Sequence, residues 1–279
     1  MDPRESLGIR WRRHPRQRQS IVDDEASLDA VLREFDAGDP RKFPANWDVR
    51  VRGWQDRHFA LFASPWNEGL LQVIGISGGE SLRRALVGLC ERPHLAKAAM
   101  DRYADYVEGL LVRALSKVKL DYAVLYEPIA SNHAPVISPA MYECFALPAL
   151  RRVVECLEGH GVEFRFMWSA GQVNSLIPLW LDAGINGLIL NQAGQAGITY
   201  GALRREFGPE LLFFGGVDWR SVVKGPETTD MFLEREVRPV LEEGGYIPHL
   251  DDTVRAYMPF DHFRHYRRRL DALVDEVLA

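Results

Sequence analysis

DYAVLYEPIASNHAPVISPAMY, residues 121–142, is the stretch that decides the fold. Its first part, Tyr122–Tyr126, is apolar and uncharged, which is typical of a parallel strand that is buried on both faces. Near its end Ser138 precedes Pro139, and this pair predicts the capped first turn of a helix. A strand, a polar loop and a helix in this order make one βα unit.

The loop between this strand and this helix contains Glu127, Asn132 and His133. In barrels built of βα units the loops that follow the strands line the active site. We therefore predict that Glu127 and His133 are catalytic. Burial would raise the pKa of the carboxyl and suit it to proton transfer, and the imidazole suits proton transfer or a substrate carboxylate. The alternatives are a carboxylate that accepts hydrogen bonds from loop amides and a histidine on a surface loop.

The alternation of strand and helix continues along the chain and predicts a parallel sheet, closed or open. Five more strands are predicted at residues 58–63, 164–168, 187–190, 211–217 and 245–248. Helices are predicted at about residues 93–117, 173–182, 200–207, 230–242 and 259–278. Residues 1–57 are rich in charge and proline, with one short helix at 25–35, and we interpret them as an irregular arm before a barrel domain at 58–279.

Composition narrows the class of protein. A chain of 279 residues with 47% hydrophobic and 26% charged residues is long enough for one large domain. Three cysteines without a CxxC motif indicate neither a disulfide framework nor a zinc ribbon. No apolar run is long enough for a membrane span, and the N-terminal residues lack the basic-then-apolar order of a signal peptide, so we expect a soluble cytoplasmic protein without a membrane partner.

Charge argues against nucleic acid as a partner. The net charge is −5, whereas nucleic-acid-binding domains are usually basic. The start of the chain is basic, and we interpret it as a solvated or substrate-facing tail; its arginines are Arg10, Arg12, Arg13, Arg16 and Arg18.

Four stretches with their order and spacing resemble a known family. They are ISPAMYECFALP at 137–148, GQVNSLIP at 171–178 with AGING at 183–187, GGVD at 215–218, and GGYIPHLDD at 244–252. From Glu68 onward the chain is similar to the uroporphyrinogen decarboxylase superfamily, which includes corrinoid-dependent methyltransferases. The resemblance implies a (β/α)8 TIM-type barrel that is a decarboxylase, and hence a lyase, or a methyltransferase. It also implies that a corrinoid could be supplied by a partner protein.

The chain departs from this family in three respects. Methyltransferase members hold zinc with a His-x-Cys pair, and the matching places here are Trp168 and Ala170, which cannot ligate zinc. We therefore expect no metal site and no cofactor held by this chain. The arginine-rich segment that grips a tetrapyrrole in true uroporphyrinogen decarboxylases is also missing. Finally, the chain looks short at its N-terminal side, with six predicted strands where the family has eight. We predict an open barrel whose edge near residues 58–63 is covered by residues 1–57 or by a second copy in a homodimer.

Further candidate site residues follow the later strands. Asp218 and His249 join Glu127 and His133 as predicted catalytic residues. The predicted substrate-binding residues are Trp168, Ser169, Asn191, Gln192, Asp251, Asp252 and Arg255. Alternatives remain: Trp168 could serve packing alone, the His249–Asp252 stretch could hold a metal from one loop, and Arg255 could pair with the aspartates instead of a substrate.

Two classes of function fit these patterns. The first is an enzyme that transfers or removes a methyl or carboxyl group on a small polar substrate without the usual zinc site. The second is a non-catalytic or partner-dependent subunit of a methyltransferase-type system. A barrel fold hosts many chemistries, so the fold alone does not separate the two.

Overall fold

The structure is a computed structural model that describes Leu7, Ile9 and residues 22–67, 69–75 and 79–279. The arginines of the predicted basic tail lie outside these residues. The described part of the chain has an α/β fold with a six-stranded parallel sheet whose strands follow chain order. The strands are β1 (Phe62–Ala63), β2 (Tyr122–Tyr126), β3 (Phe164–Ala170), β4 (Gly187–Asn191), β5 (Leu212–Val217) and β6 (Tyr246–Leu250). Each of the six predicted strands is therefore present.

Helices alternate with these strands, as the sequence predicts. They are α1 (Glu25–Glu34), α2 (Trp47–Gly53), α3 (Leu70–Val73), α4 (Gly79–Glu91), α5 (Pro93–Leu115), α6 (Pro139–Phe145), α7 (Leu147–Gly159), α8 (Ile177–Asp182), α9 (Tyr200–Phe207), α10 (Trp219–Lys224), α11 (Pro226–Phe232), α12 (Arg238–Glu242) and α13 (Phe260–Leu278). No helix among the described residues is both long and apolar enough to cross a membrane.

The chain divides into two compact units, of which the first comprises Met1–Ile129, Ile137–Met167 and Ser175–Ile185. Its core is built around the long helix α5. The ring of Phe35, which follows α1, lies 5.1 Å from the ring of Tyr103 and 5.3 Å from that of Tyr106, both on α5. The ring of Trp66 also lies 5.1 Å from the ring of Tyr103. Helix α1 is thus part of this core.

The second unit comprises Ala130–Val136, Trp168–Asn174 and Asn186–Ala279. Strands β4, β5 and β6 pair in parallel register here, with Phe213 opposite both Leu188 and Tyr246. Tyr200 of α9 stacks on Phe213 with ring centres 4.6 Å apart. Helices α10 to α13 pack against one another, and α13 buries Tyr266, Leu270 and Leu273.

Several predicted helix bounds were wrong. In each case a proline or a tryptophan lies in the first turn of the observed helix. Helix α8 begins at Ile177 rather than at 173, with a proline in its first turn. The helix predicted to begin at 230 starts at Pro226 and contains a π-helical turn at Leu233–Val237. The second short helix of the N-terminal region, α2, was missed; its ends carry Trp47 and Trp54, whose rings meet edge to face at 5.7 Å.

Strand bounds also differ, and this changes the setting of three site residues. Only residues 62 and 63 of the predicted 58–63 strand are in β1. Strand β3 runs on to Ala170 and β4 runs on to Asn191, so Ser169 and Asn191 lie within strands. Strand β6 runs on to Leu250, so His249 lies in a strand and not in a loop. Proline usually ends a strand, but β6 is the last strand in the sheet of the described residues, and an edge position tolerates Pro248.

Candidate functional site

Polar residues directly follow three neighbouring strands of the second unit. Gln192 follows β4, Asp218 follows β5 and Asp251 follows β6. Because these strands are parallel and adjacent, their carboxyl ends meet at one edge of the sheet. In open and closed parallel sheets, ligands bind at that edge. The structure therefore brings three predicted site residues to the place where ligands bind in such folds.

Asp251 is the centre of this cluster, because its side chain and its backbone both join the loops after β4 and β5. Its carboxylate accepts a hydrogen bond from the backbone N–H of Trp219 at 3.1 Å and one from that of Gly194 at 3.3 Å. Its backbone N–H donates to Val217, and its carbonyl accepts from Gln192. Only 1% of the residue is exposed. Asp251 is therefore a fixed carboxyl group at the strand ends.

Burial raises the pKa of Asp251 to about 6. The hydrogen bonds from Trp219 and Gly194 lower it by less, the negative charge of Asp218 raises it further, and Arg220 lowers it. A carboxyl group whose pKa lies near neutral pH can both give and accept a proton in a reaction. Among the described residues of the second unit, Asp251 is the carboxyl group that has this property. The sequence singled it out only as a substrate-binding residue.

Asp218, in contrast, is engaged by its own helix. Its Oδ1 caps α10 by accepting from the N–H of Arg220 at 2.9 Å, and its Oδ2 accepts from Nη2 of Arg220 at 2.6 Å. The ion pair raises the pKa of Arg220. A Cβ at Gly194 would lie 2.7 Å from Oδ2 of Asp218, so a larger residue there would force this carboxylate to shift. These contacts hold Asp218 in place, and its predicted catalytic role stays a prediction.

Gln192 and Asp252 form the outer part of the cluster. Gln192 is the one described non-glycine residue with a positive φ, at 56°, and its Nε2 donates to Oδ2 of Asp252 at 3.2 Å. Arg255 pairs with the same carboxylate at 3.2 Å. Burial alone would raise the pKa of Asp252, but the hydrogen bonds from Thr253, Gln192 and Arg255 together lower it. Arg255 thus pairs with an aspartate, which was the alternative to substrate binding.

His249 lies beside the cluster on the more exposed face of β6. Its Nδ1 is 2.7 Å from the carbonyl oxygen of Leu250, and a Cβ at Gly215 would lie 3.3 Å from its Cε1. Although the residue as a whole is exposed, the packing of its ring removes water and lowers its pKa. The ring is therefore mostly neutral at pH 7.

The other predicted residues of the second unit differ in burial. Trp168 and Asn191 are half-buried, and Ser169 is fully buried. His133 is exposed in a loop where its N–H donates to Oγ of Ser131 at 3.2 Å. The catalytic role of His133 stays a prediction.

Glu127 lies in the first unit and is fully buried. Its Oε1 accepts from the N–H of Leu70 at 3.0 Å, and its Oε2 accepts from the hydroxyl of Tyr142 at 3.1 Å. The indole N–H of Trp66 also acts to lower the pKa of Glu127, but by less than the other two donors. Burial outweighs these donors and raises the pKa of Glu127 to about 7.

The sequence located Glu127 correctly after β2 but missed the residues that surround it. Tyr142 is fully buried, and burial raises the pKa of its hydroxyl. Gly69 precedes α3, and a Cβ there would lie 2.8 Å from Cδ of Glu127. Tyr142 lies 15 positions from Glu127 in sequence and Gly69 lies much farther, so no local pattern signals either contact. The tyrosine belongs to α6, whose predicted cap pointed to a helix and not to a partner of the carboxylate.

The donor side chains of the described residues do not form a metal site. Within residues 22–67, 69–75 and 79–279, together with Leu7 and Ile9, no group of three or more His, Cys, Asp and Glu side chains is arranged to hold a metal ion. Trp168 and Ala170, at the places where the resemblance implies zinc ligands, have no donor atoms for zinc. These two residues therefore do not fit the zinc site that the resemblance implies.

We expect the purified protein to contain far less than one zinc ion per chain, because an indole and a methyl group replace the ligands. Elemental analysis after dialysis against a weak chelator is the measurement. One tightly held zinc ion per chain would contradict the expectation.

Comparison with known proteins does not assign a family. No protein-family model matches the chain, and no curated protein is significantly similar to it. The fold and the site define an α/β protein with a parallel sheet and a buried carboxyl group of raised pKa at the carboxyl ends of its strands. The likeness to the uroporphyrinogen decarboxylase superfamily stays a prediction.

Proposed function

We propose that this chain is an enzyme that removes a carboxyl group from a small polar acid, with Asp251 as the proton donor. The observation that supports the proposal is a buried carboxyl group, with a pKa of about 6, held by backbone amides from two neighbouring loops at the carboxyl ends of β4, β5 and β6. The six-stranded sheet is compatible with an open barrel of the (β/α)8 type, in which this edge is the catalytic mouth.

Decarboxylation needs one proton, which is added to the substrate carbon atom that loses the carboxyl group. When the bond between the carboxyl carbon and its neighbour breaks, carbon dioxide leaves and the electron pair stays on the substrate carbon. Asp251 then gives its proton to that carbon and regains one from water. Proton transfer by a positioned group with a pKa near the working pH is worth about 10²–10⁴-fold in rate.

Decarboxylation is favoured over methyl transfer by the residues of β3. Methyl transfer to a thiol in the resembled family is activated by zinc, and Trp168 and Ala170 offer no ligand for it. The half-buried residues Trp168, Asn191 and Gln192 of the same unit are proposed to bind the substrate, with one flat apolar wall and two amides. Glu127 belongs to the first unit, and its predicted catalytic role is not needed for this step.

A screen of small carboxylic acids tests the proposal. Acids that raise the melting temperature would be incubated with the protein at pH 6, and carbon dioxide release would be measured from carboxyl-labelled material. We expect Asp251→Asn to lower kcat by about 10²–10⁴-fold with KM changed only a few-fold. The exposed Glu227→Gln on α11 is the matched control and should retain full activity.

Three outcomes separate the proposal from its alternatives. Turnover that depends on Asp251 supports it. An Asp251→Asn protein that keeps its rate within roughly threefold would show that the proton comes from another group. Acids that bind without any turnover would favour the non-catalytic subunit.

A further inference from the structure

The last helix of the second unit, α13, presents one exposed stripe that no other described element covers. Its members stand three or four residues apart and so share one face of the helix; they are Phe260, Arg264, Arg267, Asp271, Asp275 and Leu278, and we call them the outer stripe. The opposite face of α13 buries Tyr266, Leu270 and Leu273 in the unit. The helix is therefore held in place, with the outer stripe turned to solvent.

The two ends of the outer stripe are apolar and unusually exposed. Phe260 is 71% exposed and Leu278 is 74% exposed, and these are the highest values among the exposed large hydrophobic residues of the described chain. Single exposed apolar residues are common, but here two of them terminate one charged stripe. This placement indicates that a partner as long as the outer stripe covers it from end to end.

The charged middle of the outer stripe is divided by sign. Arg264 and Arg267 occupy the half near Phe260, and Asp271 and Asp275 occupy the half near Leu278. Within the helix Arg264 pairs with Asp261 at 2.8 Å, and Arg267 pairs with Asp271 at 2.6 Å. Asp275 has no ion pair within the described part of the chain. One half of the stripe is thus complementary in charge to the other half.

This pattern is complementary to itself under a two-fold rotation. If a second α13 lies antiparallel to the first, about a point near residue 269, each position meets the one equally far from that point on the other side. Phe260 then meets Leu278 of the second copy, Arg264 meets Asp275, and Arg267 meets Asp271. Every such pair is apolar with apolar or positive with negative.

We propose that the outer stripe of α13 is the interface of a homodimer, in which two copies pair their last helices antiparallel about a two-fold axis. A two-fold interface must be self-complementary, and the outer stripe has this property in both charge and hydrophobicity. A cation–π contact that already holds the guanidinium of Arg264 5.9 Å from the Phe260 ring adds order to the basic end.

The area of the outer stripe sets the expected dissociation constant of the dimer. A helix of 19 residues is about 28 Å long, and one face of it buries less than the roughly 1,200 Å² of a stable interface. The dimer should therefore form with a dissociation constant on the order of tens of micromolar. It should weaken as salt rises from about 0.05 to 0.5 M, because two of its three pairs are ionic.

Charge reversal and mixing test the proposal by sedimentation velocity. Arg264→Glu places like charges opposite Asp275, and Asp275→Arg places like charges opposite Arg264. Each variant alone should dimerise at least about tenfold more weakly than the wild type. When the two variants are mixed, both ionic pairs are opposite in sign again, and a heterodimer of wild-type strength should form.

The controls separate pairing from misfolding. Arg235→Glu changes the charge by the same amount at an 85% exposed side chain outside α13 and should dimerise like the wild type. Circular dichroism and melting temperature should match in all variants. A wild type that is monomeric up to about 200 μM at low salt would overturn the proposal. So would single variants that dimerise as well as the wild type, or a mixture that does not restore the dimer.

Discussion

An alanine at position 69 is expected to destabilise the protein by about 3–5 kcal/mol, through a clash with a buried carboxyl group. A Cβ at this position would lie 2.8 Å from Cδ of Glu127 and 3.2 Å from its Cα. The carboxylate cannot withdraw without losing the hydrogen bonds from Leu70 and Tyr142. The backbone at Gly69 has φ −74° and ψ −178°, which any residue adopts, so the expected cost is steric.

Urea unfolding measures this cost, and α4 supplies a matched control. Gly88 has no heavy atom within 4 Å of its Cβ position beyond its own helix and chain neighbours, so Gly88→Ala should leave stability unchanged or raise it by up to about 1 kcal/mol. In a Glu127→Ser background the Gly69→Ala penalty should shrink by about 2 kcal/mol, because the clashing group is gone. A Gly69→Ala protein as stable as the wild type would show that the carboxyl group is not held against residue 69.

Local signals carried the part of the fold that the sequence predicted correctly. The apolar run at Tyr122–Tyr126 forms β2, and Ser138 caps α6 by accepting a hydrogen bond from the N–H of Met141 at 3.2 Å. Hydrophobic runs, caps and prolines act over a few residues, so their pattern is visible in the chain. The predicted strand bounds were wrong where the position of a strand in the sheet decides them. Strand β6 runs on past Pro248, because an edge strand tolerates proline.

The site was predictable in position but not in chemistry. Polar residues after apolar runs located Gln192, Asp218 and Asp251 at the strand ends. Asp218 and Asp251 differ in the groups that bind their carboxylates. Those of Asp251 lie in other loops, since its amide donors come from Gly194 and Trp219. The pairing of Asp218 with Arg220 is local, and an aspartate two residues before an arginine at the start of a helix could have indicated it.

Glu127→Gln is expected to remove a pH dependence of about 3 kcal/mol from the stability of the protein. The pKa of Glu127 is raised to about 7 in the folded chain, against about 4.5 when it is exposed. Between pH 4.5 and 7 the folded state keeps a proton that the unfolded state has lost, so stability falls as pH rises through this window. The stabilisation from this group is fully present below pH 4.5 and is lost above pH 7.

The shifted pKa values of Asp251 and His249 also affect stability near this window, and a difference measurement cancels their contributions. Asp251, with its pKa raised to about 6, also loses stabilisation as pH rises from about 4 to 6. His249 has a lowered pKa, so its contribution has the opposite sign and grows as pH rises towards 6.5. Both are the same in the wild type and in Glu127→Gln.

The free energy of unfolding by urea, measured for both proteins from pH 4.5 to 8, is therefore the test. The wild type should lose about 3 kcal/mol relative to Glu127→Gln across this range, and most of the loss should come before pH 7.5. Glu155→Gln, at an exposed position on α7, controls for the removal of one negative charge and should run parallel to the wild type. A difference between wild type and Glu127→Gln that stays constant with pH would mean that the carboxyl group is ionised in the folded protein. In that case its donors, Leu70 and Tyr142, outweigh the cost of its burial.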